Sequence, residues 1–165
     1  MRFRKHTSIY VEPRSRTVKE TMKESFLELQ FCKPADEGTA LAPRANSAPS
    51  EDYTNIFLSH AHVYVFAEKF DVQPLKRLAL KNLHQTLAIF TLWPECVGDI
   101  VALARFVYNQ TSEPVDGAEP MRSMLKRYIG YEMDVLIRAA GFLDLLEEHR
   151  ELLNDFCSMV GERIK

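Results

Sequence analysis

The chain has 165 residues, of which 46% are hydrophobic and 27% are charged, and its formal net charge at pH 7 is −2. This length suffices for one sizeable core but not for a second independent domain. The balance of apolar and charged residues excludes a wholly disordered chain and an overall binder of polyanions. No apolar run reaches the roughly 18 residues that span a bilayer, and the basic N-terminus lacks the apolar segment of a secretory signal.

The three cysteines are far apart in the sequence, at Cys32, Cys96 and Cys157. A disulfide framework or a structural zinc site would use cysteines in pairs at short spacing. We therefore predict reduced thiols and an intracellular protein of the cytosol or the nucleus.

Residues 1–32 are predicted to form a basic N-terminal arm with one helix. Residues 1–23 carry seven Lys or Arg against two acids, so this arm could touch nucleic acid or an acidic partner, or could simply be solvated. The β-branched and aromatic run at residues 7–11 could form one short strand. Thr17 and Glu20 form a capping-box pattern, and the apolar spacing after them predicts a helix over about 17–31.

The composition changes at residues 33–52, which contain three prolines and show no apolar periodicity. We predict a flexible linker here and the only internal boundary of the chain.

Two helices over about 55–70 and 74–90 are predicted to begin the C-terminal part, residues 53–165. In the first helix apolar residues occur on every side, so we expect it to lie centrally, with other helices packed round it. Pro74 suits the first turn of the second helix, which is two-faced and places His84 on its outer side. The predicted core residues of this pair are Phe57, Tyr64, Ala67, Phe70, Leu75, Leu78 and Leu83.

A further helix is predicted to begin at Pro94. Leu103 and Phe106 fall well off its inward-facing stripe, so this helix is expected to contact something on a second side. That contact is either another helix of the core or a partner protein. We take Leu103 and Phe106 as the candidate partner contacts.

Three more helical segments complete the predicted fold, which is mainly α, a helical bundle. The first begins at Pro120 and contains Glu132 within its apolar stripe. This glutamate is either a buried carboxylate with a raised pKa or a residue at the edge of the stripe. The other two lie around 142–148 and 151–164.

No catalytic, metal-binding or cofactor-binding residues are predicted. His60 and His62 are two apart on a helix and point in divergent directions, so they cannot chelate one ion together. The sequence contains no Gly-rich phosphate loop, no Gly-x-Ser-x-Gly elbow and no Cys-x-x-Cys. An enzyme would need a site assembled from residues that are distant in sequence.

Residues 59–80, SHAHVYVFAEKFDVQPLKRLAL, resemble the end of the BTB/POZ domain as found in many filamentous-fungal proteins. The shared features are the apolar spacing and the turn Lys-Phe-Asp-x-x-Pro-Leu, with Phe70 and Val72 in place of the commoner Tyr and Ile. The segment Trp93-Pro94-Glu95 and the later run at 128–134 are similar to the helical extension that follows this domain. The resemblance covers about residues 52–165.

The front of the chain departs from the family pattern. Only about 50 residues precede Tyr53, so residues 1–32 would be at most a remnant of the strands and helices that open a full BTB domain. The resemblance thus implies the last helices of the domain and their extension, in a chain whose front is truncated or diverged. The family's usual dimer elements and binding to a cullin-type scaffold are not carried over to this chain.

We therefore expect a non-enzymatic protein–protein interaction module of BTB/POZ type, acting as an adaptor or scaffold. A protein partner of unknown identity is expected, homo-oligomerisation stays open, and neither a membrane nor a cofactor is expected. One alternative is a nucleic-acid-associated protein that uses the basic arm, whose binding would weaken steeply with added salt. The other alternative is an enzyme with an unrecognised pocket.

Overall fold

The computed structural model describes residues 17–31, 42–114 and 117–164, and these ranges contain helices but no strand. The predicted mainly α bundle is confirmed. The described ranges contain seven α-helices, with a short 3₁₀ helix, Pro94–Cys96, before the fourth: α1 Val18–Leu27, α2 Thr54–Lys69, α3 Gln73–Ile89, α4 Val97–Gln110, α5 Pro120–Leu136, α6 Ala140–Glu148 and α7 Arg150–Ile164. The suggested strand at 7–11, Cys32 and most of the basic arm lie outside the described residues.

Local sequence signals mark the first turns of several helices, as predicted. The capping box of α1 is present: Thr17 Oγ1 accepts from the backbone N–H of Glu20 at 3.2 Å, and the Glu20 carboxylate accepts from the backbone N–H of Thr17 at 2.8 Å. Pro74, Pro94 and Pro120 each lie in the first turn of a helix. The missing N–H of proline costs nothing there, because the first turn has no intrahelical acceptor for it.

The turn between α2 and α3 is a Schellman motif. The N–H of Val72 donates to the carbonyl of Ala67 at 2.8 Å, and the N–H of Asp71 donates to the carbonyl of Glu68 at 3.2 Å. Asp71 has a φ of 54°, the left-handed conformation that this motif requires at the residue after the helix cap. Aspartate tolerates this conformation better than most non-glycine residues. The motif joins α2 and α3 into a tight helical hairpin.

One hydrophobic core connects the helices, from Phe26 in α1 to Met159 in α7. α2 packs against α3 and α4, while α5 packs against α1, α4 and α7. The three helices α1, α5 and α7 approach closely at Gly130, where an added Cβ would lie 2.8 Å from Met22 Cε and 3.2 Å from Met159 Sδ. The α1 part of the predicted arm is therefore packed into the core.

Residues 42–52 are fastened to the bundle, although they fall in the segment for which we predicted a flexible linker. The side-chain amide of Asn46 makes two hydrogen bonds of 2.8 Å to the backbone N–H and carbonyl of Thr91. The hydroxyl of Tyr53 donates to the carbonyl of Arg44 at 2.8 Å. The Asp99 carboxylate in α4 accepts a hydrogen bond from the backbone N–H of Tyr53 at 3.0 Å. A side chain of a neighbouring helix therefore satisfies a backbone donor at the start of α2.

The structure corrects part of the predicted core. Phe70 is 58% exposed and Leu78 is 38% exposed, so the prediction that they are core residues is wrong, and Leu75 is only half-buried. Phe70 follows the last turn of α2, and Leu78 lies on the outer side of α3, where no described helix covers them. The other four predicted core residues are at most 1% exposed: Phe57, Tyr64, Ala67 and Leu83.

His84 is buried, although the two-faced pattern of its helix predicted the outer side. Its Nε2 lies 2.8 Å from the carbonyl oxygen of Phe26, and its ring contacts the rings of Phe26 and Phe31. Because a carbonyl only accepts, Nε2 carries the proton. The end of α1 and the residues after it cover this side of α3, which the periodicity of α3 alone could not reveal.

Candidate functional site

The largest concentration of exposed apolar side chains lies on the α2–α3 hairpin. Among the described residues, seven of the thirteen exposed large hydrophobic side chains belong to α2, α3 and the turn between them, so this hairpin is the candidate binding surface. We call these seven the hairpin face: Ile56, Val63, Phe66, Phe70, Val72, Leu78 and Ile89.

This face exists because α2 is apolar on every side, while α3 and α4 cover only part of its circumference. We expected other helices to surround α2, and this expectation is wrong for its outer side. Ile56, Val63 and Phe70 follow one another at intervals of seven residues, two helical turns, and therefore lie in one row. The helix thus presents an apolar row to solvent as well as one to the core.

The outer side of α3 continues the surface of α2. A groove of about 180 Å³ is lined by Ile56 and His60 from α2 and by Asn82 and Gln85 from α3. On α3 the exposed Leu78 precedes Gln85 by seven residues, two helical turns, so it lies on the same side as the groove. The exposed rows of the two helices are therefore neighbours on one face of the hairpin.

Two aromatic rings form one end of the hairpin face. The ring centroids of Phe66 and Phe70 lie 4.6 Å apart, and Lys69 Nζ lies 5.8 Å from the Phe70 centroid. The Schellman motif holds this end of α2 in place. Large aromatic side chains held in this way supply much contact area with little loss of side-chain entropy on binding.

The polar side chains that α2 and α3 contribute to the groove carry no formal charge, whereas Arg44, which precedes α2 and also lines the groove, is a cation. Asn82 and Gln85 are amides, and burial lowers the pKa of His60 from its ordinary value of 6.5, so this ring is neutral at pH 7. The charged Lys69 lies at the edge of the face. Protein–protein interfaces are enriched in aromatic residues and arginine and depleted in other charged residues at their core, and the hairpin face with Arg44 at its groove has this composition.

The two predicted partner contacts on α4 are not exposed as a binding site. Leu103 is fully buried, so its prediction as a partner contact is wrong. Phe106 is half-buried and packs against the core, with its ring centroid 4.4 Å from that of His62. The second side of α4 is covered because α4 packs against α2, α5 and α6 together. Of the two alternatives for this side, contact with other helices is the one the structure shows.

A buried arginine that the sequence did not single out joins α4, α5 and α7. Arg122 is 2% exposed, and its Nε donates to Thr111 Oγ1 at 2.8 Å. Its Nη2 donates to the carbonyl of Tyr108 at 3.2 Å and also to the carbonyl of Thr111. Its Nη1 pairs with the Glu151 carboxylate, and the guanidinium lies 4.6 Å from the centroid of the Tyr108 ring. Arg122 thus satisfies the last carbonyls of α4, a structural role.

Two tyrosines donate hydrogen bonds to carboxylates near this arginine. The Tyr64 hydroxyl donates to Glu119, and the Tyr108 hydroxyl donates to Asp155 at 2.7 Å. Burial, followed by the adjacent carboxylate, raises the pKa of both tyrosines, so both stay protonated donors. Asp155 also binds Lys126 Nζ at 2.9 Å. Both carboxylates therefore take part in bonds that join helices.

Glu132 in α5 is half-buried, which lies between the two alternatives left by the sequence. Burial raises its pKa, and the nearby Lys19 and Lys23 of α1 oppose this effect. Lys19 also pairs with Asp134 at 3.3 Å. Two cations of the predicted basic arm therefore face carboxylates of α5.

Over the described ranges, no three His, Cys, Asp or Glu side chains are grouped so as to hold a metal ion. Cys96 is buried and Cys157 is exposed, and neither forms a disulfide. No helix in the described part of the chain is long and apolar enough to cross a membrane.

The chain matches no protein-family model, no curated protein and no solved structure.

Proposed function

We propose that this chain is a non-enzymatic protein–protein interaction module of BTB/POZ type that acts as an adaptor or scaffold. The observation that carries the interaction role is the hairpin face. The BTB/POZ type rests on the sequence resemblance over residues 59–80. We further propose that the protein works in the cytosol or nucleus, where its widely spaced cysteines stay reduced.

The size of the hairpin face supports this role. From their exposed fractions, its seven side chains offer on the order of 500 Å² of apolar surface. The largest apolar patch of a typical monomer covers about 300–600 Å² and is often functional. A standard protein–protein interface buries about 800 Å² per partner, of which a little over half is apolar. The hairpin face is therefore large enough to be the apolar part of one such interface.

Site-specific photo-crosslinking tests the proposal. A benzophenone side chain replaces Phe66 in the hairpin face and, as the matched control, Ile137, an exposed residue that follows α5. Both proteins are irradiated in extracts of cells that express the chain. We expect a discrete protein adduct at position 66 that excess wild-type protein competes away, and none at position 137. Equal labelling at both positions, or no adduct at position 66, would contradict the proposal.

A further inference from the structure

We propose that the hairpin face binds an amphipathic helix of a partner protein, and that this helix carries carboxylates beside its apolar stripe. This inference rests on the proposed function and specifies the chemistry of the partner. It follows from the charge of the hairpin, from the position of its cations beside the groove, and from the spacing of the exposed row on α2.

The α2–α3 hairpin is basic, although the whole chain is slightly acidic. Residues 54–89 contain four Lys or Arg and two Asp or Glu, a formal charge of +2, whereas the whole chain carries −2. Both carboxylates lie near the turn and have partners there: Glu68 pairs with Lys76, and Asp71 accepts from the side-chain amide of Gln73 at 2.7 Å. The other charged side chains of the hairpin are all cations, which attract a partner of opposite charge.

Two cations of α3 lie in one row with the groove. Lys81 follows Arg77 by four residues and precedes Gln85, which lines the groove, by four residues. Residues four apart on a helix are neighbours, so these three residues form a row on α3 beside the exposed Leu78. Carboxylates on one flank of a helix that lies along the hairpin face would meet this row.

A further cation lies at the groove itself. Arg44 lines the groove and pairs with Glu51, and its side chain is 70% exposed. A guanidinium has several N–H donors, so pairing with Glu51 leaves donors for a second carboxylate. The groove therefore adds a carboxylate-binding group at one end of the face.

The exposed row on α2 has the spacing of a coiled-coil seam. Ile56, Val63 and Phe70 follow one another at seven residues, and the exposed Ser59 and Phe66 each lie three residues after one of them. Alternating steps of three and four residues are the pattern along which a second helix packs. Ile56 and Phe70 are fourteen residues apart, so the row is about 21 Å long, about four turns of a partner helix.

Other modes of binding fit this face less well. The described ranges contain no strand whose edge could take an extended peptide. A bilayer with anionic lipids is also apolar and negatively charged. The groove between α2 and α3 is a recess, however, with Asn82 and Gln85 in its wall. A bilayer surface spans such a recess without filling it, whereas the side chains of a helix enter it.

Synthetic peptides are the probes that test this inference. Three fluorescein-labelled peptides of about 21 residues, three heptads, carry leucine at every a and d position. The first has glutamate at the flanking positions, and the second has lysine there. The third is the glutamate peptide with a central proline, which breaks the helix but keeps the charge. Fluorescence anisotropy at low and at physiological salt measures their binding to the full chain.

Charge reversal on α3 tests the role of its cations. Arg77→Glu/Lys81→Glu is compared with Arg138→Glu/Arg150→Glu, which changes the net charge by the same amount at exposed positions outside the hairpin. Circular dichroism and melting temperature verify that each protein keeps its fold. The glutamate peptide should bind the wild type at least about tenfold more tightly than the lysine peptide, a preference that shrinks as salt rises. Arg77→Glu/Lys81→Glu should reverse this preference, and the control pair should keep it.

Two further comparisons test the apolar contact and the helix. Phe66→Ser should weaken binding of the glutamate peptide at least about tenfold, because it removes an exposed aromatic side chain of the hairpin face. Leu143→Ser on α6, at a residue 43% exposed, should leave binding unchanged. The proline peptide should bind the wild type at least about tenfold more weakly than the glutamate peptide.

The inference is overturned if the two charged peptides bind equally, if the proline peptide binds as well as its parent, or if Arg77→Glu/Lys81→Glu keeps the wild-type preference. Two other occupants would also overturn it. Sedimentation with phosphatidylcholine–phosphatidylserine vesicles that Phe66→Ser abolishes would indicate a membrane, and a dimer in light scattering that Phe66→Ser dissociates would indicate a second copy.

Failure of the inference can be told apart from failure of the proposed function. If no peptide binds but a competed protein adduct forms at position 66, the interaction module stands and only the acidic helix is removed. Absence of both peptide binding and the adduct removes the proposed function as well.

Discussion

Arg122→Met should lower the free energy of unfolding by about 3 kcal/mol. The substitution removes the donors to the Tyr108 and Thr111 carbonyls at the end of α4, and each unsatisfied acceptor costs about 1–3 kcal/mol. Methionine retains apolar volume beside the Tyr108 ring, which limits the loss from packing. The partner carboxylate, Glu151, is mostly exposed, so Glu151→Gln should change stability by less than about 1 kcal/mol.

Urea unfolding and thermal melting, both followed by far-UV circular dichroism, measure the stability of the two variants. A loss of about 3 kcal/mol corresponds to a melting temperature lower by roughly 6–12 °C in a chain of this size. Arg122→Met should show this shift, and Glu151→Gln should melt close to the wild type. If the two variants were equally destabilised, the ion pair and not the carbonyl contacts would be the source of the stability. If Arg122→Met melted like the wild type, the buried guanidinium would make no net contribution to the stability of the fold.

Three other predictions concern packing and pH. Leu83→Ala should lower the free energy of unfolding in urea by about 2–5 kcal/mol, whereas Leu78→Ala on the same helix should lower it by less than about 1 kcal/mol. Equal losses would show that the burial assignment of these two residues is wrong. Burial lowers the pKa of His84, so the folded state binds fewer protons than the unfolded state, and stability should fall as pH decreases below 6.5 until the lowered pKa is passed. Melting between pH 7 and 5 should show this loss in the wild type but a smaller one in His84→Gln; parallel curves would rule out the histidine as its source. Gly130→Val should destabilise the fold by about 1–3 kcal/mol because Met22 and Met159 occupy the space that the side chain needs. Gly98→Ala should stabilise the fold by about 0.5–1 kcal/mol, since no atom lies within 4 Å of the added Cβ. Calorimetry measures both variants, and the reverse order of stability would contradict both predictions.

The positions of the helices were largely predictable, because their signals are local. The predicted helices at 55–70 and 74–90 correspond to α2 and α3 within one residue at each end. Caps, first-turn prolines and apolar periodicity act over a few residues and need no knowledge of the rest of the fold. The predicted end of α1 was less accurate: the helix stops at Leu27, four residues before the predicted end.

The assignment of helix faces was less predictable, because an apolar residue buries only where another element covers it. Phe70 and Leu78 fit an apolar pattern and are exposed, while Leu103 lies off the main stripe of its helix and is fully buried. His84 appeared on a polar face and is buried under the end of α1. Each of these errors depends on a neighbour that is distant in sequence.

The sequence by itself determined that this chain is mainly helical, where most of its helices begin and end, and that α2 is apolar all round. It also supplied the uncharged composition of the residues between Ile56 and Phe66, since composition is a property of the chain alone. Only the tertiary structure decided which side of α2 stays open. Periodicity records how apolar each face of a helix is, but the number and placement of its packing neighbours decide which faces reach solvent.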